Sequence, residues 1–296
     1  MQPIRNTMNL NWQCNRRLSE FSTFGIGGPI SFFTQITTED EMIEAFRFIK
    51  EKNLPFFILG KGSNCLFDDE GFDGFVLLNR IDFLNIEENG RVEVGAGTSF
   101  SLLGSQTARK GLKGLEFASG IPASVGGAIF MNAGANGRET KETLKTVTYL
   151  QSTGQKREFQ KEEIVFGYRT SSFQKMSGAI LSATFQLEVD PSARQRQLEI
   201  IEKRIQTQPL KEKSAGCVFR NPEPYLSAGR LIDECGLKGM NVGGAAISEM
   251  HANFFINQKN ASSKDVRTLI ERVQAKILEE KGIHLEIEIR MIGPHG

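Results

Sequence analysis

Apolar and polar positions follow one another along this chain with periods that predict both helices and strands. After Thr38 the apolar residues keep a helical spacing, at Met42, Ile43, Phe46 and Ile49. Thr38 and Glu41 form the pattern of a capping box, which places the start of this helix. Residues 16–36 run from a loop into a strand, and the continuous apolar runs at 56–59 and 75–78 predict two more strands.

The middle of the chain continues this mixture. Val92 and Val94 alternate with charged residues, as in a half-buried strand. A helix is predicted over about 99–110, ending at Gly111. Strands at 146–150 and 179–188 follow, and in the second of them the apolar side chains of Leu181, Ala183, Phe185 and Leu187 share one face.

A proline followed by a helix-starting serine breaks the pattern at residues 190–192. We place the domain boundary there, which gives domains 1–190 and 191–296. A charged helix over about 192–206 leads into the second domain. Because strands and helices are mixed and one domain follows the other, the predicted fold class is α+β.

The second domain is predicted to hold two further helices and a final strand. The first helix carries Leu231, Ile232 and Cys235 and ends at Gly236. The second is long, amphipathic and ends at Gly282; its apolar positions are Val266, Leu269, Ile270, Val273 and Ile277. The strand covers 284–290 and has its apolar residues at odd positions, so the side chains at 286, 288 and 290 share the opposite face.

Composition narrows the functional classes. With 296 residues, 39% of them hydrophobic, the chain can bury the cores of two or three domains. Its 36 basic and 35 acidic residues leave a net charge of +1, which gives no reason to expect nucleic acid or an anionic membrane as partner. No apolar run reaches 18 residues, and the first 15 residues lack a signal-peptide core, so we expect a cytoplasmic protein without a membrane span.

The use of cysteine and histidine also favours a cytoplasmic protein. Cys14, Cys65, Cys217 and Cys235 are scattered without C-x-x-C pairing, and the three histidines show no H-E-x-x-H pattern. We therefore expect no disulfide framework and no metal site, as is typical of a reducing cytoplasm.

Candidate chemistry begins with a stretch rich in glycine and alanine at residues 114–137. A second glycine-rich turn, residues 60–64, directly follows the predicted strand 56–59. Glycine lets backbone approach a ligand closely, and successive N–H groups in such turns form concavities that hold anions. Two such loops together favour a site for the pyrophosphate of a dinucleotide.

Neither loop is one of the two common phosphate motifs. A P-loop requires glycine where Pro55 stands and Ser or Thr where Gly62 stands. The Rossmann pattern G-x-G-x-x-G fails because Gly95 and Gly97 are followed by Phe100 in place of the third glycine.

The loops and a later motif, read together, resemble a known family. The segments STFGIGG, GKGSN, SGIPASVGGAIFMNAGA and FGYRTSSF are similar, in this order, to the UDP-N-acetylenolpyruvoylglucosamine reductase family, and the resemblance extends from Asn15 to Gly293. It implies an FAD-binding domain of the vanillyl-alcohol-oxidase type with two lobes, about 1–74 and 75–190, followed by a substrate domain. Type I members of the family have an insertion that carries a substrate-clamping tyrosine. The chain resembles the shorter type II members, which lack this insertion.

The resemblance also implies a reaction and its cofactors. Family members use NADPH and FAD to reduce UDP-N-acetylglucosamine enolpyruvate to UDP-N-acetylmuramate, for peptidoglycan synthesis. We expect FAD to be bound without a covalent link and the protein to be a monomer. The residues implied around FAD lie in the two glycine-rich loops: Gly60, Lys61, Gly62, Ser63, Asn64, Gly120, Ile121, Pro122, Ser124, Gly126, Gly127, Asn132, Ala133 and Gly134.

Two charged residues match catalytic positions of the family. Arg169 lies in the segment 168–173, which matches Y-R-x-S-x-F, and a guanidinium can grip the substrate carboxylate with two parallel hydrogen bonds. Glu288 lies in L-x-x-E-I-R-x-I-G and matches the catalytic glutamate. Without the resemblance, a surface charge would be the better interpretation of each. Tyr168 and Arg290 are predicted to bind substrate.

One catalytic position departs from the family. The segment 213–222 matches A-G-S-x-F-x-N-P, whose serine is the proton donor, but Cys217 stands at that position. A buried structural thiol is the alternative; we favour the donor, because a thiol is a competent acid near neutral pH. Asn221 is predicted to bind substrate. The other cysteines and His251 are interpreted as structural.

Two other functions remain open at this stage. A flavin oxidase on the same fold would often tether its cofactor through histidine or cysteine, but no histidine precedes His251, which excludes a histidyl tether in the FAD domain. A non-catalytic flavin or sugar-nucleotide binding protein is the second alternative. Consumption of NADPH with and without the enolpyruvyl sugar separates all three.

Overall fold

The computed structural model describes residues 11–296. Within this range helices and short strands are intermixed, which confirms the predicted α+β class. The α-helices are α1 (Glu39–Lys52), α2 (Phe100–Arg109), α3 (Val125–Phe130), α4 (Ala193–Thr207), α5 (Ala228–Glu234) and α6 (Ser263–Lys281). Short 3-10 helices lie at Leu18–Phe21, Glu116–Ala118, Thr140–Glu142, Lys161–Glu163 and Ser172–Lys175.

The strands are short and numerous. In the first half of the chain they are β1 (Arg16–Arg17), β2 (Pro29–Ile36), β3 (Phe56–Leu59), β4 (Cys65–Phe67), β5 (Phe72–Asn79), β6 (Leu84–Ile86), β7 (Arg91–Gly95), β8 (Leu112–Lys113), β9 (Gly134–Ala135) and β10 (Arg138–Glu139). In the second half they are β11 (Leu144–Gln151), β12 (Lys156–Gln160), β13 (Phe166–Gly167), β14 (Thr170–Ser171), β15 (Gly178–Gln186), β16 (Glu188–Val189), β17 (Ser214–Cys217), β18 (Asn241–Val242), β19 (Ala245–Ile247), β20 (Phe254–Asn257) and β21 (Arg290–Ile292).

Helix ends follow the local signals in the sequence. The Thr38 hydroxyl accepts a hydrogen bond from the Glu41 N–H, and the Glu41 carboxylate accepts one from the Thr38 N–H, which confirms the predicted capping box of α1. Helix α6 ends at Gly282, whose φ of 68° lies in the left-handed region. This confirms the predicted stop, because glycine adopts that conformation without a Cβ penalty.

The described chain divides into two compact units, each built from separate segments. Unit 1 consists of residues 11–14, 32–60 and 74–201, and unit 2 of residues 15–31, 61–73 and 202–296. Two early segments, 15–31 and 61–73, thus pack in the same unit as the C-terminal residues, whereas the sequence places them in the first domain. The functional boundary at residue 190 stays a prediction.

Unit 1 is built around an antiparallel sheet with the strand order β12-β11-β15-β7-β6. Ala183 of β15 lies opposite Val147 on one side and Val94 on the other. Helices α2 and α3 contribute Phe100 and Ile129 to the same buried cluster. A second cluster of this unit packs α1 against β3 and β5, which run parallel to each other.

Unit 2 has its own antiparallel sheet, with the order β17-β20-β19-β18. Helices α5 and α6 cover it, and Ile232, Ile270 and Val273 pack with Phe255 of β20 in one buried cluster. Apolar residues from the early segments, such as Leu66 of β4, complete that cluster.

The predicted final strand 284–290 is wrong as one continuous element. Residues 286–288 bond to residues 218–220, with Phe219 opposite Ile287. The chain then changes partner, and β21 pairs in parallel with β4, a strand that the sequence did not predict. The side-chain alternation holds at four positions, since Leu285 and Ile289 are buried while Glu286 and Arg290 are exposed; Ile287 and Glu288 between them are both half-buried. Both pairings are distant in sequence, so the local pattern predicted the faces but not the break.

Candidate active site

The glycine-rich stretch of unit 1 folds tightly against the chain before it. The Gly126 N–H donates to the Ala96 carbonyl at 2.9 Å, and a Cβ at Gly126 would lie 3.0 Å from the Ala96 Cβ. The Gly120 N–H donates to the Ser101 hydroxyl at 2.7 Å, and the Gly127 N–H to the Ser124 hydroxyl at 3.2 Å. These three N–H groups have partners within the protein, so pyrophosphate contacts would come from other N–H groups, and the predicted role of the three glycines at FAD stays a prediction.

The second loop requires glycine for steric reasons. A Cβ at Gly60 would lie 2.4 Å from the Ser124 hydroxyl oxygen, within unit 1. At Gly62, where φ is +59°, it would lie 2.2 Å from the Phe21 carbonyl oxygen, within unit 2. Lys61, Ser63 and Asn64 complete the turn and are only partly buried. Glycine-shaped backbone with adjacent polar groups fits a dinucleotide.

Arg169 lies in unit 1, in the two-residue turn that joins β13 to β14. Its side chain is half-buried, and its guanidinium carbon lies 4.8 Å from the centroid of the Tyr168 ring. Its Nη2 donates to the Gly134 carbonyl at 2.9 Å. The structure thus brings together three predicted site residues: Gly134, Tyr168 and Arg169.

Asn132 and Ala133 lie next to this group and have structural contacts. The buried Asn132 amide donates to the Gly167 carbonyl at 3.0 Å and accepts from the Lys141 N–H at 3.1 Å. The Ala133 carbonyl accepts from the Thr140 hydroxyl at 2.7 Å. The exposed Pro122 and the half-buried Ile121 continue the loop. Their predicted role at FAD stays a prediction.

Unit 2 places Cys217 at the end of β17, opposite Phe254 and beyond a bulge. Gly216 precedes it with a φ of +78°. The Arg204 guanidinium of α4 interacts electrostatically with the Cys217 sulfur. Burial lowers the pKa of Arg204, and the thiolate charge opposes that effect. Arg204 carries no signal in the sequence, because nothing local connects α4 with β17.

The same unit brings Glu288 to the segment that follows Cys217. The Glu288 N–H donates to the Val218 carbonyl at 2.7 Å, and the Asn64 amide donates to the Glu288 carbonyl at 3.4 Å. The Arg290 N–H donates to the Asn64 carbonyl at 2.9 Å. Backbone pairing therefore gathers Asn64, Cys217, Glu288 and Arg290.

Asn253 fixes the segment that follows Cys217, and no local signal in the sequence indicates this role. Its side chain is 2% exposed. Its amide oxygen accepts from the Phe219 N–H at 2.9 Å, its amide nitrogen donates to the Phe219 carbonyl at 2.8 Å, and its own carbonyl accepts from the Val218 N–H. Asn221, four residues after Cys217, accepts from the Ala228 N–H at 3.1 Å and so stabilises the start of α5.

The residues interpreted as structural have surroundings that suit that interpretation. Burial raises the pKa of the Cys65 thiol to about 11, against the opposing charge of Arg290. Burial lowers the pKa of His251, whose Nδ1 accepts from the Asn253 N–H at 3.3 Å. Burial also raises the pKa of Cys235, beside Glu280. Cys14 is an exposed free thiol.

The described chain has neither a cluster of metal-binding side chains nor a helix suited to span a membrane. Residues 11–296 contain no group of three or more His, Cys, Asp or Glu side chains placed to hold a metal ion. Over the same residues, every helix is too short or too polar to cross a membrane.

Comparison with known proteins identifies both halves of the chain. A family model described as an FAD binding domain matches residues 30–160. A second, described as the C-terminal domain of UDP-N-acetylenolpyruvoylglucosamine reductase, matches residues 208–292.

Individual relatives carry the same name. The reductase of Protochlamydia amoebophila (strain UWE25) is 55% identical over 281 residues, which cover 95% of this chain and 94% of the relative. That of Chlamydia muridarum is 50% identical over 275 residues, covering 93% and 92%. The crystal structure of the Thermus caldophilus reductase is 38% identical and superposes with a TM-score of 0.81, covering 96% of this chain and 99% of the other.

Proposed function

The chain belongs to the UDP-N-acetylenolpyruvoylglucosamine reductase family, and we propose that it uses NADPH to reduce UDP-N-acetylglucosamine enolpyruvate to UDP-N-acetylmuramate. Family membership establishes an FAD-containing oxidoreductase of peptidoglycan precursor synthesis. The identity of the electron donor and the residue roles below are the proposed part. We further propose that the enzyme acts as a cytoplasmic monomer on small molecules alone and thereby supports cell shape and division.

The reaction adds a hydride and a proton across the enolpyruvyl double bond. Residues of the glycine-rich loops would hold FAD, and the chemistry that FAD would supply is a hydride for the methylene carbon. The attack pushes negative charge onto the carbon that bears the carboxylate, and a proton delivered there completes the reduction. The protein must therefore bind the carboxylate, stabilise the developing charge and donate one proton.

Arg169 is proposed to bind the carboxylate, and its setting is the observation that carries the proposal. The guanidinium is held between the Tyr168 ring and the Gly134 carbonyl. Because a guanidinium is permanently charged and planar, a fixed one can hold a carboxylate with two parallel hydrogen bonds. Tyr168, Asn221 and Arg290 are proposed to bind the rest of the substrate.

Cys217 is proposed to donate the proton, and Glu288 is proposed as a second catalytic residue of the same unit. Glu288 is bonded through its backbone to Val218, the residue after Cys217. The cationic Arg204 favours the thiolate over the thiol. The donor must be the thiol, so activity is expected to fall as the pH rises and the thiol ionises.

Rapid-mixing absorbance on Arg169→Ala tests the assignment, because it separates the two halves of the reaction. We expect NADPH to reduce the flavin at the wild-type rate. Reoxidation by the enolpyruvyl sugar should slow by a factor on the order of 10² to 10³, the effect of removing one group that stabilises developing charge. Arg157→Ala is the matched control. Like Arg169, Arg157 in the same unit stacks its guanidinium on an aromatic ring, with its guanidinium carbon 4.3 Å from the centroid of the Phe159 ring. Wild-type reoxidation by Arg169→Ala would refute the role of Arg169.

A further inference from the structure

Arg169 has an unusual backbone conformation. Among residues 11–296, six non-glycine residues have a positive φ; five are asparagines, and the sixth is Arg169 with φ +57°. Asparagine tolerates the left-handed region, whereas a long side chain is disfavoured there. Such strain persists only when surrounding contacts over-determine it. Something must therefore hold this turn.

The exposed side chain of Gln174 contacts the strained residue directly. Its amide nitrogen donates to the carbonyl of Arg169 at 3.1 Å and to the carbonyl of Phe130, the last residue of α3, at 2.9 Å. Its third neighbour is the Met131 sulfur, at 3.6 Å. All three partners are acceptors, so the contact depends on the two N–H groups of one amide.

Other bonds fasten the same hairpin to the same helix end. The Ser171 hydroxyl donates to the Phe130 carbonyl at 2.8 Å. The Asn132 amide donates to the carbonyl of Gly167, the last residue of β13, at 3.0 Å. Between these anchored neighbours, Gln174 adds a hydrogen bond at the carbonyl of Arg169 itself.

We propose that Gln174 is a positioning residue for the substrate half of the reaction. By holding the Arg169 carbonyl against the end of α3, it fixes the turn and so aims the guanidinium at the substrate carboxylate. This inference rests on the proposed role of Arg169. It assigns to Gln174 no contact with substrate or cofactor.

Substitutions at Gln174 can separate hydrogen-bond donation from side-chain shape. Gln174→Glu keeps the shape but turns an acceptor toward two carbonyl oxygens. Gln174→Lys changes the shape but keeps donors. Gln186→Glu is the matched control: Gln186 is also exposed in unit 1, and its amide donates to the carbonyls of Asn89 at 2.8 Å and Leu187 at 3.3 Å.

The test is the rate of flavin reoxidation by the enolpyruvyl sugar, measured with flavin content and melting temperature. We expect Gln174→Glu to slow reoxidation by about tenfold or more, because misplacing a catalytic group by 1 Å can lower the reaction rate by about 10²-fold. Reduction by NADPH should be unchanged, Gln174→Lys should stay within about threefold of wild type on the same basis, and Gln186→Glu should match wild type. Wild-type reoxidation by Gln174→Glu would overturn the proposal, and so would equal losses in the Glu and Lys variants. If Gln174→Glu folds poorly, Gln174→Ala removes the donors without adding a charge, and it should slow reoxidation relative to Gln174→Lys.

A double mutant separates this inference from the function on which it rests. If Gln174 acts through Arg169, then Gln174→Glu should cause no further loss of reoxidation rate in Arg169→Ala. A second, additive loss would overturn the positioning role while leaving Arg169 in place. If Arg169→Ala alone reoxidises normally, the proposed function of Arg169 fails first.

Discussion

The Arg169 turn and the Cys217 segment are held in place by different means. Arg169 lies in a strained turn that the exposed Gln174 fastens to the end of α3. The segment that follows Cys217 is held by the buried Asn253, which bonds both backbone groups of Phe219. The hydrogen bonds of an exposed side chain can be lost at little cost in stability, since surface changes usually stay within about 0.5 kcal/mol. Loss of the hydrogen bonds of a buried side chain costs more. We therefore expect substitution of Gln174 in unit 1 to lower activity without lowering stability, and substitution of Asn253 in unit 2 to lower both.

Substitution of Cys217 itself should have the largest effect. We expect Cys217→Ala to slow reoxidation by the enolpyruvyl sugar by a factor on the order of 10² to 10⁴, the usual contribution of a positioned acid. Reduction by NADPH should be unaffected. Cys217→Ser, which restores the residue of the family motif, should retain activity and lose or shift the alkaline limb of its pH profile. Near-normal reoxidation in the Ala variant would return Cys217 to a structural role.

Loss of FAD is the second expected effect, caused by one added methyl group in unit 2. A Cβ at Gly62 would lie 2.2 Å from the Phe21 carbonyl oxygen, so the loop must shift. We expect Gly62→Ala to bind FAD at least tenfold more weakly, that is by about 1.4 kcal/mol or more. The control is Gly236→Ala, at φ +67° in the same unit with nothing within 4 Å of the added Cβ. If the two variants retain equal amounts of flavin, the predicted clash at Gly62 does not affect FAD binding.

Asn253→Ala tests the contrast between the hydrogen bonds of a buried side chain and those of the exposed Gln174. It removes both partners of the Phe219 backbone groups, so unfolding free energy should fall by roughly 2–4 kcal/mol, together with the reoxidation rate. Asn79→Ala is the matched control, because Asn79 is a buried asparagine of unit 1 that bonds the Ile81 N–H and the Ile180 carbonyl. It should lose similar stability and keep its rate below the melting transition. Equal rate losses in both variants would contradict a specific role for Asn253.

The smallest effect concerns pH and His251. Burial lowers the pKa of this histidine in the folded state, so the unfolded chain binds the proton more readily. Stability from this group is complete above the unfolded pKa of about 6.5 and declines as the pH falls below it. Asn cannot titrate in this range. We therefore expect the unfolding free energy of His251→Asn to fall less between pH 7.5 and pH 5.5 than that of the wild type, and the difference is the pH-dependent contribution of this one histidine. Chemical denaturation at both pH values measures this, and an unchanged pH dependence would remove His251 as its source.

Local signals in the sequence were reliable, and contacts between distant residues were not visible. The caps of α1 and α6 were predicted correctly because both depend on residues within one turn of the helix end. The continuous strand at 284–290 failed because its two partners lie elsewhere in the chain. The motif around Arg169 identified the residue but not its φ of +57°. Gln174 and Asn253 were missed because their partners, Phe130 and Phe219, lie 44 and 34 residues away.

The most direct test of the central claim is an anaerobic single-turnover experiment on the wild-type enzyme. The flavin is reduced with NADPH, oxygen is excluded, and one equivalent of UDP-N-acetylglucosamine enolpyruvate is added. We predict that the oxidised flavin spectrum returns and that UDP-N-acetylmuramate forms in equal amount. A flavin that stays reduced with the sugar and reoxidises only when oxygen is admitted would contradict the account and favour a flavin oxidase.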